Sequence, residues 1–200
     1  MSQVAYRSIE ATAEVMANEE AVAFKMKKIH PKLFGLFCPV RYTLVKKRKV
    51  YVPYEFFVYT YELRRGKNRT GDGKMGIFDR RGEIGVVFDM NEVHPFHFDL
   101  YDTLDLRTLQ TEDLDGELVP PNCTLAEAEA KTFESVRWKM LRKVFQALPQ
   151  ITLVKQVTFY RPAWELELSV RGRMCEKFAY TDKHSTQNEH ISGLKVRLAT

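Results

Sequence analysis

The run His94-Pro-Phe-His97-Phe-Asp99 brings together the residue types that hold zinc and related divalent ions. On a strand, His97 and Asp99 share one face and His94 lies close by. No fourth ligand, His-Glu-x-x-His helix or cysteine pair accompanies them, so a metal-dependent enzyme using His94, His97 and Asp99 is a secondary reading. Glu165 and Glu167 recur at strand spacing, as a paired-carboxylate site would have them, but alternate glutamates are also the ordinary wet half of a strand. Cys38, Cys123 and Cys175 are odd in number and scattered, which suits reduced thiols and gives no Cys-His signature. Neither a phosphate loop, a Gly-x-Gly-x-x-Gly turn nor a Gly-x-Ser-x-Gly elbow occurs. The sequence therefore implies no cofactor and no local catalytic machinery.

A second candidate chemistry is anion binding. Lys46-Lys47-Arg48-Lys49 is a run of four cations, and Lys25, Lys27, Lys28, Arg137, Lys139, Arg142 and Lys143 add to it from helical segments. That pattern fits a phosphate-binding surface and a nucleic-acid-associated protein. On a strand, however, alternate residues point to opposite faces, so Lys47 and Lys49 share one side and Lys46 and Arg48 the other. The favoured reading is a solvated basic edge that discourages sheet-to-sheet pairing. The net charge of +5 is itself divided: from Asp89 to Glu117 nine acidic residues stand against Arg107 alone, net −8, leaving +13 on the rest. Either a basic surface awaits an anionic partner, or a basic body is neutralised by its own acidic connector.

These residues must be positioned by elements that the hydrophobic pattern outlines. Thr43-Leu-Val-Lys-Lys-Arg-Lys-Val-Tyr-Val-Pro53 matches Thr152-Leu-Val-Lys-Gln-Val-Thr-Phe-Tyr-Arg-Pro162 without a gap, identical at six of eleven positions. Val22–Lys28 resembles Val136–Arg142 upstream, and Arg65-Gly66 and Arg171-Gly172 follow downstream. The chain then reads as an internal duplication: residues 1–88 as a first α+β repeat, 89–120 as an acidic connector and 121–200 as a second repeat. Each repeat is a helix followed by a three- or four-stranded antiparallel sheet, an α+β fold.

In the second repeat, Thr124 and Glu127 form a capping-box pattern. Leu125, Phe133, Val136, Met140, Val144 and Leu148 follow at helical spacing, Lys131, Ser135, Lys139 and Arg142 fall on the polar side, and Pro149 stops the helix. Strands are expected at 151–160, 163–170, 174–180 and 191–198, with Pro162 at the turn or bulge joining the first two. In the first repeat a helix is expected over about 9–29, with strands at 41–52, 54–63, 74–79 and 83–89.

The strand from Tyr54 to Leu63 is apolar on both faces. Burying a large apolar side chain stabilises by about 1.5 to 3 kcal/mol, so Tyr54, Phe56 and Val58 are expected to be covered by the chain itself or by a partner.

The order helix, alternating strand, then Phe78-Asp79-Arg80-Arg81-Gly82-Glu83 resembles PepSY-type modules, and helix-on-sheet folds of the cystatin-like kind are similar. That resemblance implies a helix packed on an antiparallel sheet, an Asp-containing turn at 79–82, and a binding or inhibitory role.

The function expected from these observations is a non-catalytic binding or accessory protein. Its partner would be a protein or small-molecule ligand, or a second copy of the chain, at an inter-repeat groove or at a surface including Tyr54, Phe56, Val58, Lys47 and Lys49. Nucleic acid is the less favoured partner. No run of 18 or more apolar residues and no leader pattern occur, so no membrane contact and a cytoplasmic location are expected.

Overall fold

A computed structural model describes residues 5–9, 32–33, 36–37, 42–64, 79–98, 106–110, 114–145, 148–170 and 173–180. Strands dominate: β1 Ala5–Ile9, β2 Lys32–Leu33, β3 Leu36–Phe37, β4 Tyr42–Leu63, β5 Arg80–Asp89, β6 His94–Phe98, β7 Leu106–Gln110, β8 Glu117–Leu118, β9 Gln150–Val170 and β10 Arg173–Tyr180. Between β8 and β9 runs one helical segment: α1 Leu125–Glu134, a π-helical stretch Ser135–Leu141 and α2 Arg142–Phe145. Eight strands form one mixed sheet in the order β6-β5-β4-β9-β1-β7, with β10 on β9 and β8 on β4, while β2 and β3 pair separately.

This single sheet overturns the expected α+β duplication of a helix followed by its own antiparallel sheet. The matching segments 43–53 and 152–162 lie in the two long strands β4 and β9, which are neighbours in one sheet. A strand-like pattern specifies extended backbone but not its partner, and pairing the two long strands satisfies the ladder groups of both. Pro53 and Pro162 do not end strands either. Strand β4 pairs with β8 at Val50 and Tyr51 and with β5 from Tyr54 onward; β9 pairs with β1 at Tyr160 and with β10 from Ala163. Each proline falls in the gap between successive pairings, where its missing N–H costs no ladder bond. The acidic stretch 89–120 supplies β6, β7 and β8. The first expected helix, apart from Ile9 at the end of β1, lies outside the described residues, as do the strand at 191–198 and all of that at 74–79 except Asp79. No helix among the described residues is long and apolar enough to cross a membrane.

By contacts the chain divides into two compact units, one of Met1–Val52, Asp105–Pro120 and Tyr160–Glu189, the other of Pro53–Leu104, Pro121–Phe159 and His190–Thr200.

In the second unit, β5 pairs antiparallel with β4 from Tyr54↔Asp89 to Leu63↔Arg80, and β6 continues from β5. Thr158 and Thr152 of β9 meet Glu55 and Thr60 of β4, so these strands run antiparallel. Alternation puts Phe57, Tyr59, Tyr61 and Leu63 on one face with Ile84, Val86 and Phe88, and there the helical segment packs through Ala128, Val136, Met140, Leu141 and Phe145. Tyr54, Phe56 and Val58, on the opposite face, are 2%, 7% and 6% exposed, so β4 is buried on both sides here.

Helix α1 starts where the capping box placed it. Thr124 Oγ1 accepts from the Glu127 N–H, and the Glu127 carboxylate accepts from the Thr124 N–H. Beyond Glu134 the phase shifts. Residues 128, 132, 136, 140 and 145 are buried, at intervals of four and five, whereas a regular α-helix averages 3.6 residues per turn. The π-helical stretch absorbs those long steps. In consequence Leu141 and Phe145 turn inward, while Leu125 and Leu148 of the expected apolar stripe are 44% and 41% exposed.

Gly82 lies inside β5 opposite Tyr61, not in the turn that the resemblance implies.

In the first unit, β1 pairs antiparallel with β7, and Ser8 Oγ donates to the Tyr160 carbonyl at 3.2 Å. The Tyr6 and Tyr160 rings meet edge-on at 5.6 Å, and the Arg161 guanidinium covers Tyr180 at 4.0 Å. Residues 46–49 lie in β4 ahead of its pairings with β8, which start at Val50, and with β5, which start at Tyr54.

Candidate functional site

Strand β5 ends at Asp89, whose buried carboxylate organises the turn that follows. Its Oδ1 accepts from the N–H groups of Asn91 and Glu92 at 2.8 and 2.9 Å, and its Oδ2 accepts from the Tyr54 hydroxyl. The Met90 N–H donates to the Pro53 carbonyl, and Asn122, just before the helix, donates through its backbone to the Met90 carbonyl and through its side chain to the Asn91 carbonyl, both at 2.9 Å. The turn and the helix start are thus tied together.

So fixed, the chain leaves the turn through Val93 at φ 56°. That left-handed conformation is strained for a β-branched residue and persists only where surrounding structure enforces it. His94 and Pro95 follow, the His94 ring edge-on to Phe96 at 5.2 Å.

Across from them stands the helical segment at the point where it changes from α to π. Val93, His94 and Pro95 on one wall and Lys131, Glu134, Ser135, Trp138 and Lys139 on the other line an open cleft of about 250 Å³. Trp138 is 42% exposed. The Arg142 and Arg137 guanidiniums lie 4.9 and 5.3 Å from its ring centre, so cation–π contacts hold the indole. Two backbone irregularities of the kind concentrated at functional sites, a left-handed valine and a π-helical stretch, therefore border one cleft. The arrangement offers a flat apolar surface and two ammonium groups, a combination that takes an anionic ligand.

The residues singled out in the sequence fall in three places. Tyr54, Phe56 and Val58 are interior, with the Tyr54 ring 5.7 Å from that of Phe159, so the expected partner surface is core. Lys47 and Lys49 are both engaged: the Lys47 ammonium lies 4.1 Å above the Trp164 ring, and that of Lys49 pairs with Asp115. Of the metal triad, exposed His94 lines the cleft, the side chain of His97 lies outside the described set, and so does Asp99 entirely. Among the described residues no group of three His, Cys, Asp or Glu side chains is placed to hold a metal ion.

A second charged cluster sits in the first unit. Arg48 pairs with Glu165 on β9 and, at 2.8 Å, with Glu117 on β8. Lys46, Glu167 and Glu176 border the same small cleft. Asp115 accepts from Lys49 and, at 2.8 Å, from the Tyr51 hydroxyl. Burial pushes the Asp115 carboxyl up, but these bonds outweigh it and hold the group below the usual carboxylate range. Two of the four cations, Arg48 and Lys49, thus pair with Glu117 and Asp115 of the acidic stretch.

The cleft residues that sequence reasoning left out of the site are Val93, Trp138 and the lysines. One signal pointed to them: Trp138 shares the polar side of the helix with Lys131, Ser135, Lys139 and Arg142. The left-handed Val93 has no local signature. Comparison with protein-family models, with curated proteins and with solved structures finds no match.

Proposed function

We propose that this is a non-catalytic binding protein that takes an anionic ligand in the cleft between the start of β6 and the helical segment. The supporting observation is the convergence of Lys131, Lys139 and exposed Trp138 on a cleft whose other wall is the strained Val93-His94-Pro95 segment. Ammonium groups on the rim supply attraction that salt screens, and the indole supplies apolar contact.

The test uses Trp138 as its own reporter. Only two tryptophans are present, so Trp164→Phe leaves Trp138 alone. Titration of that variant with inorganic phosphate, acetate and hexaglutamate is expected to give a saturable emission change with at least one anion, weakened by added salt and by Lys139→Ala. No saturable change with any of the three would end the reading.

A further inference from the structure

Resting on that anion-binding reading, we infer that the ligand is a small aromatic acid, one flat ring carrying one anionic group. Size is the first argument. A cavity of about 150 Å³ accepts benzene, so the open cleft of about 250 Å³ has room for such a ring with an anionic group attached. Charge is the second. Lys131 and Lys139 outnumber Glu134 in the lining, and Arg137 and Arg142 beside Trp138 add further positive charge, which suits an anionic group.

The walls add chemistry of their own. Trp138, 42% exposed, presents indole surface beside the Arg137 and Arg142 guanidiniums, so an aromatic acid would find apolar contact and positive charge together. Ser135, between the two lysines along the helix, brings a hydroxyl that donates to a carboxylate or phosphate oxygen. On the facing wall stand the His94 and Pro95 rings. An extended peptide is disfavoured: β6 ends the sheet order, but Pro95 within it has no N–H to offer an added strand.

The experiment compares matched probes on the Trp164→Phe protein: benzoate against acetate, phenyl phosphate against inorganic phosphate, and hexaglutamate. Each aromatic acid is expected to bind at least about tenfold tighter than its ringless partner, a difference of about 1.4 kcal/mol. Heteronuclear NMR on the full chain, with shifts confined to residues near 93–95 and 131–139, reads the same contrast without the indole. In Trp138→Ala the tenfold ratio should collapse towards one while binding of the plain anions persists; in Lys139→Ala both members of each pair should weaken. Both residues are exposed, so the variants should keep the parent's circular dichroism and melting midpoint. Equal affinity for aromatic and plain anions, or tighter binding of hexaglutamate than of either aromatic acid, overturns the aromatic-acid inference while leaving an anion site standing. Binding of none of the probes removes the inference together with the reading beneath it.

Discussion

The ring of Tyr61 on β4 lies over Gly82 on β5, so close that a Cβ at residue 82 would sit 2.6 Å from the Tyr61 hydroxyl oxygen and 2.9 Å from Cζ. The ring is held on its other flank by Phe145, 5.4 Å away. Tyr61 thus reaches across the sheet only because its partner has no side chain, and its hydroxyl has no hydrogen-bond partner among the described residues.

Gly82→Ala is therefore expected to destabilise by about 1–3 kcal/mol, the range for overpacking. Because the nearest atom is the hydroxyl oxygen, Tyr61→Phe should recover part of that loss and by itself be neutral or stabilising, since it removes an unsatisfied buried polar atom. A double-mutant cycle by urea denaturation checks this. Strict additivity would show that the clash is not with Tyr61.

Gly116 makes a different close approach. A Cβ there would lie 2.7 Å from the Lys49 carbonyl oxygen, a backbone atom that cannot swing aside. Gly116→Ala should therefore push β8 off β4 and weaken the Asp115 contacts with Lys49 and Tyr51, at a cost of about 1–3 kcal/mol. Asp115→Asn should cost less, because exposed ion pairs contribute roughly 0–1 kcal/mol. The pH dependence has a definite sign. Asp115 is held below its ordinary value in the folded state, so its contribution is present above the ordinary carboxylate pKa and is lost as pH falls through the lower folded value. Urea midpoints of wild type and Asp115→Asn should converge as pH falls below about 4; a constant gap would show that the carboxylate's charge is not involved.

The two glycines illustrate why part of the fold was legible and part was not. Thr124 and Glu127 announce the helix because a cap is a contact between residues three apart, and Tyr54, Phe56 and Val58 on one face with Phe57, Tyr59 and Tyr61 on the other announce double-sided burial because alternation is local. That β4 and β9 are neighbours rather than equivalents cannot be read from either segment, since their likeness states only that both are long strands. Pro162 misled for the same reason: whether a missing N–H matters depends on which strand lies alongside, and that is a long-range fact. At the candidate site, the cationic helix face around Trp138 is visible in the sequence. Its facing wall is not, because the turn that leads into Val93 is tied to Asn122, 31 residues from Asn91, and that contact is long-range.

Removing the cap gives a clean local test of the helix that forms one side of the cleft. Thr124→Ala deletes the acceptor for the Glu127 N–H and is expected to cost about 1 kcal/mol. The Glu127 carboxyl, held low first by the Thr124 N–H and then by the Thr124 hydroxyl, should titrate nearer its ordinary value in the variant, observable by carbon-detected NMR. An unshifted titration would mean that the backbone bond alone holds Glu127.

Glu55 on β4 is only 3% exposed. Its Oε1 accepts from the Thr158 hydroxyl, while its Oε2 has no partner among the described residues. Burial pushes this carboxyl up from its ordinary value, and the bonds from Thr158 and Gln156 only partly oppose the rise. A folded-state pKa above the unfolded one means that Glu55's contribution is fully present below the unfolded value and is lost as pH rises through the folded value, because the unfolded chain ionises first. Glu55→Gln keeps an oxygen for Thr158 and cannot ionise. Its urea midpoint should therefore match wild type near pH 4 and exceed it increasingly towards pH 8. Glu55→Ala, which strands the Thr158 hydroxyl, should be less stable than Glu55→Gln throughout that range. Parallel midpoint curves for wild type and Glu55→Gln would show that Glu55 titrates alike in the folded and unfolded chains.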